Sequence, residues 1–134
     1  MKKLIPVMAL LALVLTVLTI QSPRAEAYRQ ITMQEAIAMM ETEENLILLD
    51  VRTAQEYAAG HIPGAILIPN ESIGAEDIPL LPDKDQLIMV YCRSGNRSKQ
   101  ASSKLAALGY TNIVEIGGIN SWPGEIAVPS RSNP

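Results

Sequence analysis

The chain holds a single cysteine, Cys92, placed between an apolar run at 86–91 (QLIMVY) and the short polar stretch Arg93-Ser94-Gly95-Asn96-Arg97-Ser98. The nucleophilic form of cysteine is the thiolate, and nearby positive charge or a helix N-terminus lowers a thiol pKa from about 8.5 toward roughly 3.5 to 7.5. A strand that runs into a polar loop and then a helix places Cys92 at the carboxyl end of the strand, where open α/β sheets bind ligands. Inward-turned loop N–H groups and the unsatisfied first-turn N–H groups of the helix make that point prefer an anion. Arg93 and Arg97 add positive charge close by in sequence. Gly95 supplies the positive φ or close backbone approach of a tight turn, and Asn96 or Ser98 is suited to cap the helix. The competing reading is a small buried hydrophobe at a strand end, common for cysteine; the two arginines, the glycine and the helix start together favour a reactive thiol.

The elements that must position this loop are legible as an alternation. Apolar β-rich runs occur at 45–50 (NLILLD), 65–68 (AILI), 86–91 and 112–116 (NIVEI), with 29–31 a weaker first strand. Helical patterns fall between them, which predicts an α/β domain with a largely parallel sheet buried on both faces. Thr32-Met33-Gln34-Glu35 and Thr53-Ala54-Gln55-Glu56 have the form of capping boxes. The first helix then carries Met33, Ile37 and Met40 on one face, and the second stops at Gly60. A third, 98–108, repeats Ala101, Leu105 and Leu108 at i, i+4 and i+7 with Gly109 at its C-terminal cap. Residues 69–85, rich in proline, glycine and acid, read as a surface connection with one helical turn, and the tail from Pro129 as frayed.

The 134 residues, 48% hydrophobic and 19% charged, suit one domain plus a short processed or anchoring segment, with no room for a second domain. The start is basic at Lys2 and Lys3, apolar from Leu4 to Ile20, and ends in Ala25-Glu26-Ala27. That order reads as a secretory signal peptide at 1–27, cleaved after Ala27, with an uncleaved membrane anchor at 4–20 as the alternative. The expected domain is 28–134, with its core at about 30–128, exported to a periplasmic or extracellular location. No cysteine near the cleavage site could carry a lipid. Loss of Lys2, Lys3, Arg24 and Glu26 from 11 basic and 14 acidic residues leaves 8 against 13, an acidic balance that argues against nucleic-acid binding. One cysteine forms no intramolecular disulfide, so the domain must rest on its own core.

Four blocks occur in order: Asp50-Val51-Arg52 with Glu56-Tyr57; Gly60-His61-Ile62-Pro63-Gly64-Ala65; Tyr91-Cys92-Arg93-Ser94-Gly95-Asn96-Arg97-Ser98; and Gly117-Gly118 with Trp122. Together they resemble the signature blocks of the rhodanese-like family, of the single-domain thiosulfate sulfurtransferase type, over residues 50–122. The resemblance implies an α/β fold with about five parallel strands and helices on both faces. It implies that Cys92 takes a sulfane sulfur from a small anionic donor such as thiosulfate, holds it as a persulfide, and passes it to cyanide or a thiol. Residues 93–98 would bind the donor, and no metal or organic cofactor is implied. Arg52 and Glu56, four apart across a helix start, read as an ion pair fixing the turn beyond Asp50. Asp50 and His61 read as structural, Gly117-Gly118 as the turn after the last strand, and Trp122 as a packing anchor near the site.

Two other readings remain open on the sequence. A dedicated sulfur carrier or a binding or sensory domain keeps the same fold, and a protein sulfur acceptor, or a reductant that keeps an exported Cys92 reduced, is a further expected partner. A cysteine-dependent phosphatase or arsenate reductase is disfavoured: fold-sharing phosphatases space cysteine and arginine as C-x5-R, whereas Cys92 and Arg97 give C-x4-R.

Overall fold

The computed structural model describes residues 27–129. The leader or anchor read at the N-terminus, and the tail beyond Pro129, therefore lie outside the described residues. Five strands form one parallel sheet: β1 (Arg29–Gln30), β2 (Leu46–Asp50), β3 (Ile66–Leu67), β4 (Leu87–Cys92) and β5 (Ile113–Gly118), in the order β1-β5-β4-β2-β3. Three helices connect them: α1 (Met33–Thr42), α2 (Ala54–Ala59) and α3 (Asn96–Ala107). The α/β class and the five-stranded parallel sheet expected from the sequence are what the chain adopts.

β4 lies at the centre, flanked by β5 and β2, and all six of its residues are buried. Its side chains divide by parity, because successive residues of a strand point to opposite faces. Ile88, Val90 and Cys92 join Ala101 and Leu105 of α3 in one core cluster. Leu87, Met89 and Tyr91 join Met33 and Ala36 of α1 in the other, with Tyr57 of α2 packed against it. A strand covered on both faces must be apolar throughout, which is why the sequence is unbroken in apolar residues from Leu87 to Cys92.

Both capping boxes form. Thr32 Oγ1 accepts from Glu35 N at 3.1 Å while Glu35 accepts from Thr32 N, and Thr53 and Glu56 repeat the exchange. Each N-cap contributes about 0.5–2 kcal/mol and sets where its helix leaves the sheet. The expected face of α1 is the packed one: Met33 is buried, Ile37 and Met40 are half-buried against the same core cluster, and Ala36 beside them is fully enclosed. The smallest side chain takes the most enclosed place, and the longer ones flank it.

The 69–85 connection contains one 3-10 turn, Asn70–Ser72, and is tied down more firmly than its composition suggests. Ile73 and Leu81 are buried, Tyr110 Oη donates to Leu81 O at 2.6 Å, and Asn70 Nδ2 donates to Gln100 Oε1 on α3 at 2.9 Å. The connection thus braces the helix that leaves the cysteine loop.

Candidate functional site

Cys92 is the last residue of β4, and the chain turns so tightly after it that Gly95 N donates to Cys92 Sγ at 3.0 Å. Gly95 holds φ +114° and ψ −15°, left-handed geometry that a side chain would strain. Gly95, and not Asn96 or Ser98, is the N-cap of α3, and no side chain caps the helix. The expected cap and the expected start at 98 are therefore corrected. The loop is so short that 96–98 are already in the first helical turn, where their N–H groups supply the positive end of the helix. Backbone N–H groups of Ser94, Gly95 and Ser98 bear on the sulfur.

The cysteine is only 1% exposed. Burial pushes its thiol pKa up, but the Ser98 hydroxyl and the three backbone donors outweigh it, and the net shift is downward. The cause differs from the expected one, since hydrogen-bond donors rather than the two arginines do most of the lowering. The guanidinium of Arg97 is turned to α2, where Nη1 and Nη2 meet Glu56 Oε1 and Oε2 at 2.6 and 3.0 Å. That pair holds the Glu56 carboxyl down at about 2, chiefly through the Arg97 hydrogen bond working against desolvation. Arg93 is exposed and makes no ion pair among the described residues, so its charge stays free beside the loop.

The expected Arg52–Glu56 pair does not form. Arg52 folds back on Asp50, donating from Nε and Nη2 to the carboxylate at 2.7–3.1 Å and from Nη2 to Gly60 O at 2.8 Å. Tyr91 Oη donates to Asp50 Oδ2 at 2.8 Å and accepts from Ile62 N at 3.1 Å. Asp50 and Arg52 are both buried, and a buried charge needs a buried partner, which Asp50 is and the half-buried Glu56 is not. This network joins β2, β4 and the turn at 60–62 behind the cysteine loop. His61 stacks its ring on Tyr57 at 3.7 Å and holds Nδ1 3.0 Å from Tyr57 O.

Two clefts flank the loop. One, of about 590 Å³, is lined by Thr32, Glu35, Ser94, Gly95, Lys99 and Glu115 among others; the other, of about 430 Å³, by Arg52, Glu56, Gly60, Arg93, Ile119 and Asn120. Among the described residues no group of His, Cys, Asp and Glu side chains is placed to hold a metal ion.

The family model of the rhodanese-like domain matches residues 32–125. The chain belongs to the rhodanese-like domain family. It is 36% identical over 81 residues to the thiosulfate sulfurtransferase PspE of Escherichia coli, covering 60% of this chain and 74% of that protein. It is 35% identical over 105 residues to the thiosulfate sulfurtransferase GlpE of Pseudomonas entomophila, covering 75% and 93%. A rhodanese-like domain protein of Staphylococcus aureus superposes with a TM-score of 0.64 at 30% identity, over 76% of this chain and 99% of that one.

In this rhodanese-like domain Gly117-Gly118 is not a turn beyond the last strand but its end. The β4–β5 register slips by one residue between Val90↔Glu115 and Cys92↔Gly118, and the resulting bulge sets Gly118 against the loop backbone, where a Cβ would lie 2.0 Å from Arg93 O. Trp122 is half-buried on the α1 side, its indole N–H donating to Glu125 O at 3.0 Å, and it lines neither cleft beside the loop. Sequence reasoning passed over Glu115. It is 3% exposed, on the α3 face of β5, and its Oε1 accepts from Ser98 Oγ at 2.6 Å and Gly117 N at 2.9 Å. The signal was available, since a carboxylate inside NIVEI has no packing reason to be there.

Proposed function

We propose that this rhodanese-like domain is a sulfurtransferase in which Cys92 carries a sulfane sulfur as a persulfide, taken from thiosulfate or a similar anionic donor and passed to cyanide or a thiol. The observation that carries the reading is the loop around Sγ: a depressed thiol at a strand end, Gly95 N at 3.0 Å, and the first turn of α3 directed at the same point. Its membership of a family whose relatives are named thiosulfate sulfurtransferases supports the same reading.

In the first half-reaction the thiolate attacks the outer sulfur of thiosulfate; the new S–S bond forms as the old one breaks, and sulfite leaves with the bonding electron pair. The persulfide anion gains the loop N–H groups as donors, placed before the charge arrives. In the second half-reaction the acceptor attacks the outer sulfur, and Cys92 leaves as the thiolate. Arg93, unpaired at the rim, draws the anionic donor in, and Arg97 with Glu56 holds the loop against α2. We further propose that residues 1–27 direct export and are removed.

The test is the intact mass of the purified chain after incubation with thiosulfate, followed by cyanide and measurement of thiocyanate. The expected result is a gain of one sulfur atom, lost on adding cyanide and absent in Cys92→Ser. No gain in the fully reduced protein would overturn the thiosulfate reading in favour of a protein donor or a binding role.

A further inference from the structure

The donor loop explains how a Cys92 thiolate is held, but not where its proton goes. Cys92 is 1% exposed, so water is a poor acceptor at the sulfur. The Ser98 hydroxyl is 3.4 Å from Sγ, and the same oxygen lies 2.6 Å from Glu115 Oε1, 2.9 Å from Gly95 O and 3.3 Å from Gly117 O. A hydroxyl has one proton to give. The shortest contact is to a carboxylate, at a length typical of charge-assisted O–H···O bonds, so the proton points at Glu115. The Ser98 oxygen is then left to accept from the thiol.

Among the described residues Glu115 makes no ion pair. Its carboxylate accepts from the Ser98 hydroxyl and from Gly117 N, and it is 3% exposed at the wall of the larger cleft. Its Oε1 is the nearest acceptor of the Ser98 hydroxyl, at 2.6 Å against 2.9 Å for Gly95 O, so a proton leaving Ser98 Oγ arrives there. A buried thiolate and a buried carboxylate this close also resist ionising together, so such a pair shares one proton over a range of pH.

We propose that Glu115, acting through Ser98, takes the proton of Cys92, so that the thiolate forms by transfer inside the protein. The thiol proton moves from Sγ to Ser98 Oγ as the Ser98 proton moves to Glu115 Oε1. The pair passes from thiol and carboxylate to thiolate and carboxylic acid with no change in net charge. The hydroxyl newly made on Ser98 then points at Sγ. Glu115 touches no substrate; it positions Ser98 and stores the proton while Cys92 is the nucleophile. The inference rests on Cys92 being the nucleophile of the proposed transfer.

Other charged groups surround the pair. Glu35 from α1 and Lys99 from α3 line the cleft with Glu115, while Arg93 and the Arg97–Glu56 pair stand on the Cys92 side. The range that matters is about pH 5.5 to 8, where a histidine beside the pair would change its charge. His61 lies against Tyr57 and lines neither cleft. Within that range the fraction of thiolate is set by where the shared proton sits, which does not depend on pH.

The test is alkylation of the full chain by iodoacetamide as a function of pH, read by intact mass; with one cysteine in the sequence, every adduct reports Cys92. The expected wild-type rate is constant within about twofold from pH 5.5 to 8, as for a proton held inside a coupled pair. Glu115→Gln keeps an oxygen for Ser98 and Gly117 but accepts no proton, so its rate should climb about tenfold per pH unit below the thiol's own lowered pKa and level off only above it. Ser98→Ala should lose the plateau and Ser98→Thr retain it, which serves if Glu115→Gln fails to fold. A wild-type rate that itself climbs tenfold per unit, or a Glu115→Gln profile superimposable on the wild type, overturns the proposal. Alkylation needs no sulfur donor. A Glu115-dependent plateau in a protein that gains no sulfur from thiosulfate would therefore uphold the relay and reject the thiosulfate reading.

Discussion

A methyl group added at Gly118 would test how closely the cysteine loop depends on the strand beside it. The Cβ of Gly118→Ala would fall 2.0 Å from Arg93 O, 2.3 Å from Arg93 C and 2.5 Å from Ser94 N, where ordinary contact begins at 3.4 Å. The two backbones must separate by about 1.4 Å, the difference between those distances. A carbonyl has no rotamer to swing away, and this one also accepts from Asn120 N at 3.2 Å. Gly118 itself is extended, with φ −139° and ψ 158°, so alanine strains nothing but the contact. Overpacking of this kind costs about 1–3 kcal/mol in stability, whereas an error of about 1 Å in the placement of reacting groups costs on the order of 100-fold in rate. The displaced residues directly follow Cys92, the proposed nucleophile, so activity should fall far more than stability. The assay is kcat/KM for thiosulfate-to-cyanide transfer beside the thermal midpoint. Gly74→Ala, whose Cβ meets nothing within 4 Å, is the control expected to change neither. A folded Gly118→Ala protein within about twofold of wild-type kcat/KM would refute the claim that placement of this loop carries the reaction.

Two charge predictions follow from the site. The Glu56 carboxyl is lowered from 4.5 to about 2 in the folded chain, so the Glu56–Arg97 pair stabilises fully above pH 4.5 and is lost as pH falls toward 2. With both side chains more than a quarter exposed, solvent screening limits its worth to about 1 kcal/mol; denaturant unfolding of Glu56→Gln should show that deficit at pH 7 and little of it at pH 2.5, and a deficit independent of pH would contradict the assignment. Arg93→Ala should raise KM for thiosulfate about three- to tenfold at low salt and less at high salt, because a free surface charge steers an anion through a screened field. Arg97→Ala should affect KM less, its charge being already offset by Glu56; equal and salt-independent effects would place the two arginines differently.

The features legible in the sequence are those written over a few consecutive residues. The capping boxes at Thr32 and Thr53 need only a hydroxyl and a carboxylate three positions apart. The run into β4 needs only apolar side chains on both faces. The turn at Cys92–Ser98 needs only a glycine able to take a positive φ between a strand and a helix. These local rules also singled out Cys92 as the candidate nucleophile, because a strand end followed at once by a helix start directs backbone donors at the residue between them.

What sequence distance could not settle was which charge meets which. Arg52 and Glu56 stand four apart and suggest each other, yet Arg52 turns to Asp50, and Glu56 meets Arg97, 41 positions away. The helix that would align the first two begins only at Ala54, after Arg52 has been drawn into the core beside Tyr91. Glu115 likewise becomes part of the site only because β5 lies next to β4, with its α3-facing side chains turned toward Ser98, 17 positions earlier. The amino-acid sequence by itself therefore determined the alternation of strands and helices, the caps and the cysteine loop, since each follows from short-range backbone chemistry. Only the tertiary structure decided the ion pairs, the close approach at Gly118 and the acceptor behind Ser98. Those depend on which buried groups the packed sheet leaves within hydrogen-bond reach, and desolvation then makes each of them find its partner there.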